Sequence, residues 1–438
     1  MKLFSPFLFN IKAKFNDSIL NKIIKNSSII LFGNSAASLI NLISFTIIAR
    51  QLGPKILGML VLAQTYVMVV NDIFNIQTWE AMIKFGSSDE NKSIIKTNIY
   101  LDCISAVVAF SFALALLKPV VKIFEWDSNY ITVYSIYCFS ILFKITTLTI
   151  GIPRLFDKFL SIAKINVIVA LIKLGSILYV KYYVNIIAAY IYIYIFADIV
   201  INLSLITYSL YLLNDSYGNT WWKEKIKLDK NQIKFIWWTN LRTITRIPVR
   251  YFDILVISSA MSLKMVGIYK VYKEIAGMIN RIGEPINQAI YPEFTRLIGD
   301  RYNAHVVSVI KKVISILFCV ATAATLFLLL SSKIILIKFF GVEYLEHVGA
   351  LYLMLIFFGF SFITVPINSL FIAAGFAKYS FYIILLTNIL YLLSAFYLGA
   401  IFGIYGVISA YAIQMIINKG LKIYFLNKHY STWSTIIR

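Results

Sequence analysis

The sequence predicts an all-α integral membrane protein with about twelve transmembrane helices. Hydrophobic residues make up 60% of the 438 residues, charged residues make up only 14%, and the mean hydropathy is +0.80. A soluble domain cannot bury so large an apolar share, because its surface still needs polar residues. The apolar runs are long and continuous, which is typical of spanning helices rather than barrel strands. At about 20 residues per span plus short connections, the chain has room for roughly twelve spans.

The apolar segments predict where these spans lie. They are expected at residues 28–49, 57–80, 97–117, 131–152, 165–180, 186–213, 235–261, 265–291, 313–331, 348–373, 379–399 and 404–425. The longest polar connection is 214–234, which we expect to be a cytoplasmic linker. It would join an N-terminal six-helix bundle, residues 1–213, to a C-terminal six-helix bundle, residues 235–438.

A short internal repeat supports two related halves. Leu57-Gly58-Met59 and Val266-Gly267-Ile268 each begin an even-numbered span. A phenylalanine follows each glycine by 27 residues, at Phe85 and Phe294. Many transporters are built from duplicated helical bundles. The repeat therefore predicts pseudo-twofold symmetry between the two bundles.

The distribution of basic residues predicts the orientation of the chain. Of 41 Lys and Arg residues, 25 fall in the N-terminal segment, the even-numbered connections and the C-terminal tail, and 8 fall in the opposite connections. Lys419 and Lys422 are counted in the tail, on the expected cytoplasmic side. The positive-inside rule then places both termini in the cytoplasm. The basic residues are dispersed among the spans, so we expect no nucleic-acid partner.

Cations inside two spans predict an anionic ligand. An ionisable side chain at the bilayer centre costs about 2.5–3.5 kcal/mol, so such residues usually face a watery cavity or a partner. The seventh and eighth spans contain six cations against three carboxylates. The residues expected to line a cationic, phosphate-binding lumen are Arg246, Arg250, Lys270, Lys273 and Arg281. The alternatives are a salt bridge of Arg250 with Asp253 or Glu274, and snorkelling of Arg242 and Arg246 to the interface.

Other functional classes receive little support from the residues. Four carboxylates are candidates for ion coupling or for salt bridges: Asp72, Glu80, Asp253 and Glu274. The cysteines, Cys103, Cys138 and Cys319, have no metal-ligand or redox spacing. No P-loop and no soluble domain with paired carboxylates is present. We therefore expect no catalytic residues, no metal, no cofactor and no enzymatic activity.

Several short motifs resemble those of a known family. Ile48-Ala49-Arg50-Gln51-Leu52-Gly53-Pro54, continuing to Gly58, resembles the stretch after the first helix of Wzx-type O-antigen flippases. These polysaccharide biosynthesis proteins belong to the multidrug/oligosaccharidyl-lipid/polysaccharide exporter superfamily. The start of the seventh span through Asp253, residues 266–269 and residues 291–294 are similar to that family's second-half pattern. Gln51 departs from it, because a tyrosine is common at this position.

The resemblance implies a function for the whole chain. It implies alternating access, driven by an ion gradient, that moves an undecaprenyl-diphosphate-linked oligosaccharide to the periplasmic leaflet of a bacterial inner membrane. The implied partners are this lipid-linked substrate and membrane lipid, with a glycan polymerase and a chain-length regulator as candidates. Two alternatives stay open: a multidrug or cation antiporter of the same superfamily, and a non-transporting membrane scaffold for glycan assembly.

Overall fold

The computed structural model describes residues 18–86, 92–184, 186–227, 229–279, 294 and 303–429. All regular secondary structure in these ranges is helical. The α-helices are α1 Ser18–Phe74, α2 Trp79–Phe85, α3 Lys92–Ile123, α4 Ile131–Cys138, α5 Ile152–Leu155, α6 Phe159–Tyr179, α7 Ile187–Tyr217, α8 Lys230–Ile244, α9 Ile247–Ala260, α10 263–279, α11 Asn303–Ile335, α12 Val348–Ile363, α13 Val365–Ala373 and α14 Ala377–His429. Within these ranges, seven helices are long and apolar enough to cross a membrane, and one bent pair makes an eighth candidate.

Two of these helices are long enough for two spans and are kinked at a glycine. Helix α1 changes direction at Gly53, which has φ 68° and ψ 169° and precedes Pro54. Helix α14 does so at Gly403, with φ 59° and ψ −137°. A positive φ is strained for side chains with a Cβ atom, and proline supplies no backbone N–H for the helix. The two kinks therefore separate the spans expected at 28–49 and 57–80 and those expected at 379–399 and 404–425.

The described residues form two compact units. The first comprises the described residues of Met1–Ser44, Gln77–Ile104 and Leu142–Ile236. The second comprises those of Phe45–Ile76, Ser105–Ile141 and Trp237–Arg438. Helices α1 and α3 each contribute to both units. The bundles predicted at 1–213 and 235–438 stay a prediction.

Two of the expected spans are interrupted close to the points where the chain passes from the second unit to the first. The helix expected over 57–80 ends at Phe74 and resumes at Trp79 as α2. The helix expected over 131–152 bends by 58° between Ser128–Phe143 and Thr147–Leu155. An apolar core packs around both breaks. Its buried members are Met82, Ile95, Leu148, Ile152, Leu212, Leu213 and Trp221.

In the second unit, the two glycines of the sequence repeat pack against each other. A methyl group built on Gly58 would lie 1.7 Å from the carbonyl oxygen of Leu263. One built on Gly267 would lie 2.0 Å from the carbonyl oxygen of Pro54. Each carbonyl belongs to the residue one helical turn before the other glycine, so the contact is reciprocal. It has the twofold character that the repeat predicts.

This close approach predicts a stability defect in alanine variants. We expect Gly267→Ala to lower the free energy of unfolding by about 1–3 kcal/mol, because the two backbones must move apart to admit a methyl group. Gly175 of α6 is the matched control, since nothing lies within 4 Å of the position of its added methyl. Gly175→Ala should leave stability unchanged or raise it by up to about 1 kcal/mol. Melting temperatures of the purified variants in detergent measure both effects, and equal values would contradict the contact.

Candidate functional site

In the second unit, Arg250 pairs with a carboxylate from the first half of the sequence. Its Nη1 atom lies 3.6 Å from Oδ2 of Asp72. Tyr251 donates its hydroxyl to the same oxygen at 3.1 Å. The Asp72 side chain is 9% exposed and the Arg250 side chain is 48% exposed. The structure thus gives Arg250 a partner that differs from Asp253 and Glu274, the two considered from the sequence.

Asp253 is the buried acceptor of a second cation. Lys273 Nζ lies 2.5 Å from Asp253 Oδ2, and Tyr269 donates its hydroxyl to the same oxygen at 2.7 Å. The carboxylate is 6% exposed and the ammonium side chain 29% exposed. One turn away on α10, Lys270 Nζ lies 3.0 Å from Glu274 Oε1. Each of these two cations therefore has a carboxylate partner.

The other predicted site residues lie elsewhere. Arg246 is exposed at the start of α9. Glu80 lies in the first turn of α2, in the first unit. Arg281 falls outside the described residues. The structure therefore brings together the pairs Asp72–Arg250, Asp253–Lys273 and Lys270–Glu274.

Two buried lysines on α14 were missed by sequence reasoning. Lys419 is 9% exposed and Lys422 is 3% exposed. Lys419 donates to the backbone carbonyl of Thr364 at 3.3 Å, and Lys422 donates to Oδ1 of Asn368 at 2.8 Å. The Lys422 ammonium also lies 5.9 Å from the centre of the Phe371 ring. Within the described ranges neither lysine has an acidic partner, so their positive charge is balanced only by neutral dipoles.

The count of basic residues assigned both lysines to the cytoplasmic side, although both fall within the span expected over 404–425. They were not considered as charges inside a span, and the structure places them on α14, which continues as a helix to His429. The run Ile416-Ile417-Asn418-Lys419-Gly420-Leu421-Lys422 contains a usable signal, because residues three apart share one helix face.

Buried amides and hydroxyls extend from these lysines along α14. Asn418 donates to the Thr387 hydroxyl at 3.1 Å, and Gln414 donates to Asn388 Oδ1 at 3.4 Å. Asn388 in turn donates to the carbonyl of Thr245 at 2.7 Å, at the junction between α8 and α9. All four side chains are less than 10% exposed. A polar layer therefore runs through the interior of the second unit.

In the first unit, Asp102 of α3 organises the two interrupted helices. Its Oδ1 atom accepts from the hydroxyl of Thr78 at 2.7 Å and from the amide of the same residue at 3.2 Å. Its Oδ2 atom accepts from the Thr147 amide at 2.6 Å and the Thr146 hydroxyl at 3.0 Å. The side chain is fully buried. One carboxylate thus satisfies backbone donors at the restart of both helices.

An exposed ion pair lies just before the eighth predicted span. Lys264 Nζ lies 2.5 Å from Glu346 Oε2. This hydrogen bond raises the pKa of Lys264 and lowers the pKa of Glu346. Both side chains are more than 40% exposed, so solvent screens the pair.

In the described part of the chain, no group of three or more His, Cys, Asp or Glu side chains could hold a metal ion.

The family of the chain is shown by comparison with known proteins. Residues 23–298 match the family described as polysaccharide biosynthesis protein. The chain belongs to this family. A related sequence is the inner membrane protein YghQ of Escherichia coli strain K12, which is 26% identical over 162 residues. That match covers 35% of this chain and 46% of YghQ, so it spans about half of the relative's length.

Solved structures show that this family member shares the fold of known transporters. An inward-facing multidrug transporter of the MATE family has a TM-score of 0.72 at 14% identity, covering 91% of this chain and 96% of that one. The lipid II flippase MurJ, in an inward closed conformation, has a TM-score of 0.67 at 13% identity over 93% and 89% of the two chains. A MOP superfamily transporter from Pyrococcus furiosus has a TM-score of 0.61 at 14% identity, covering 95% of this chain and 96% of that one.

These comparisons confirm the predicted fold class. The polysaccharide biosynthesis protein is a multi-pass, all-α membrane protein with about twelve transmembrane helices. The two glycine kinks explain part of the difference between continuous helices and spans, because α1 and α14 each supply two spans. Of the other two expected spans, 235–261 is divided between α8 and α9, and 265–291 extends beyond the described residues.

The Lys273–Asp253 pair predicts a double-mutant rescue. Lys273→Met leaves a buried carboxylate without its cation, and we expect a loss of up to about 3 kcal/mol of stability. Lys273→Met combined with Asp253→Asn should recover most of it, because the amide oxygen can still accept from Tyr269. Thermal unfolding of the purified variants measures the difference. Lys264→Met, at the exposed pair with Glu346, is the control and should lower the melting temperature less. If the double variant of Lys273 and Asp253 is no more stable than Lys273→Met, the pairing of these two side chains is refuted.

Proposed function

We propose that this protein is a flippase for an undecaprenyl-diphosphate-linked oligosaccharide. It moves O-antigen or a related glycan repeat unit from the cytoplasmic to the periplasmic leaflet of a bacterial inner membrane. Alternating access exposes the substrate to one side at a time, and an ion gradient drives the cycle. The family and the transporter fold support this proposal.

The buried Lys419 and Lys422 are the observation on which the proposal mainly depends. A cation inside a membrane protein is costly unless an anion balances it. These two ammonium groups have only neutral acceptors within the described residues. A diphosphate would bring the missing negative charge when it binds and remove it on release. Multidrug substrates that are themselves cations would add to the repulsion.

The paired cations contribute in a different way. Arg250 is half exposed and its 3.6 Å contact with Asp72 is long for an ion pair. A phosphate oxygen could therefore replace Asp72 as its partner at small cost. We propose the same exchange for Lys270 and Lys273, and we propose that Arg246 and Arg281 also bind phosphate oxygens. The released carboxylates, Asp72, Asp253 and Glu274, would then be available to bind a coupling ion; Glu80 stays a weaker coupling candidate.

A polar route is needed because of the substrate's sugars. Each hydroxyl stripped of water in hydrocarbon without a replacement hydrogen bond costs several kcal/mol. The buried layer of Thr387, Asn388, Gln414 and Asn418 supplies such groups within the second unit. The polyprenyl chain needs no such route and can stay in the lipid.

A glycan polymerase and a chain-length regulator are the proposed partners at the periplasmic side.

The central prediction concerns transport by lysine variants. Lys422→Met and Lys419→Met should each lower the flipping rate of a fluorescent lipid-linked oligosaccharide in proteoliposomes by at least about tenfold. Among the described residues neither lysine has an acidic partner, so no carboxylate there is orphaned when either is removed. We therefore expect Lys422→Met to leave protein yield and melting temperature equal or higher, whereas Lys419→Met also removes a donor to the Thr364 carbonyl and should lower the melting temperature. In Lys422→Met transport falls without a loss of stability, which a purely structural role would not produce.

Lys378 provides the matched control for these variants. It lies on α14 as well, but it is exposed. Lys378→Met should keep the wild-type rate. Wild-type rates in Lys419→Met and Lys422→Met would exclude the diphosphate role proposed for these two side chains.

A topology prediction tests the direction of transport. Alkaline phosphatase fused after Lys122 should be active, because this connection is expected in the periplasm. The same reporter fused after Lys225 should be inactive, because the linker is expected in the cytoplasm together with both termini. Activity after Lys225 would overturn the assigned orientation, and equal protein levels must be verified by immunoblot.

A further inference from the structure

A small cavity in the first unit lies beside the start of α6. Its volume is about 210 Å³. Its lining residues are Thr149, Ile150, Arg154, Phe159, Ile162, Ala163, Asn166 and Leu205. Five of these eight side chains are apolar, so the cavity combines a hydrocarbon wall with a few polar groups.

Arg154 is the charged group of this cavity. Its guanidinium lies 4.9 Å from the centre of the Trp79 ring, which is a cation–π contact. Arg154 is exposed, and among the described residues its guanidinium has no hydrogen-bond or ion-pair partner. Its N–H donors are therefore open to water or to a ligand with anionic oxygen atoms, which the planar guanidinium binds well.

The N-terminus of α6 adds to the positive potential here. The helix has 21 residues and begins at Phe159, which lines the cavity. No side chain caps it and no acidic residue lies in its first turn. Uncapped amides and the helix dipole favour an anion at this position. Lys158 and Lys164, both exposed, flank the same turn.

The size and place of the cavity select the kind of anion. Pockets for drug-sized ligands occupy about 300–1,000 Å³, so this one is too small for an oligosaccharide. It can admit a phosphate group and a few adjoining carbon atoms. Arg154 lies at the end of the bent membrane-spanning pair that finishes with Leu155, where a span meets the headgroups. Leu160, which is 50% exposed, continues the apolar surface next to the entrance.

We propose that this cavity binds the phosphodiester headgroup of an anionic membrane phospholipid. The phosphate accepts hydrogen bonds from Arg154 and lies at the N-terminus of α6. The first carbon atoms of the lipid pack against Phe159 and Leu205. This site is separate from the proposed transport route, and the proposal holds whatever the transported substrate is.

Lipid binding to the purified full-length chain tests the proposal. Phosphatidylglycerol is titrated into the protein in detergent, with phosphatidylcholine as the zwitterionic reference, and retained lipid is counted by native mass spectrometry. Wild-type protein should retain phosphatidylglycerol in preference, and its melting temperature should rise. Arg154→Gln should weaken that retention by at least about tenfold, and Arg154→Lys by less, because lysine keeps the charge and loses the planar fork.

Two further variants keep the test decisive. Lys118→Gln removes an exposed positive charge from α3 without touching the cavity and should bind as wild type does. Ala163→Leu fills the cavity while keeping Arg154, and it should also lose the lipid; it decides the matter if Arg154→Gln does not fold. Unchanged retention in the cavity variants would overturn the site. Equal protection by millimolar inorganic phosphate would overturn the assignment to a lipid.

Discussion

The structure depends on hydrogen bonds to the backbone groups that are exposed where helices are broken inside a membrane. Lipid offers no hydrogen bonds, so each backbone group freed by a break needs a partner from the protein. Asp102 supplies acceptors for the amides of Thr78 and Thr147. On the other unit's broken helices, Asn388 and Lys419 donate to carbonyls at the junctions between α8 and α9 and between α12 and α13. These polar side chains are buried because they form hydrogen bonds with backbone groups that the helix breaks leave without partners.

Charged side chains also depend on partners from distant segments. The surplus of cations on the seventh and eighth predicted spans left out Asp72, which comes from α1 and binds Arg250. With the three observed pairs in place, Lys419 and Lys422 are buried lysines that have only neutral acceptors among the described residues. Lys419 also donates to a carbonyl at a helix junction, so it combines a backbone contact with a buried positive charge.

Composition and the long apolar runs predicted the fold class, and the repeat around Gly58 and Gly267 predicted two related halves. The breaks that follow Phe74 and Phe143 could not be foreseen from the sequence. The interruption at Asn75-Ile76-Gln77-Thr78 contains neither glycine nor proline, and distant side chains such as Asp102 and Ser105 stabilise it. For the site, the cations of α9 and α10 were found, but their partners were not, because pairing depends on packing. Lys419 and Lys422 lie within the span expected over 404–425, but they were counted with the tail and were not examined as charges inside a span.

The contact between Gly58 and Gly267 has a consequence for biosynthesis. It joins positions nearly half the chain apart, and non-local contacts form only after the intervening chain has been ordered. While the ribosome is still making the second half, the carbonyl-rich surface around Pro54 and Gly58 has no partner. A nascent membrane protein in that state exposes a face suited to any helix with small residues. Association of the first half with other chains must therefore be prevented until the segment around Gly267 has been synthesised and inserted.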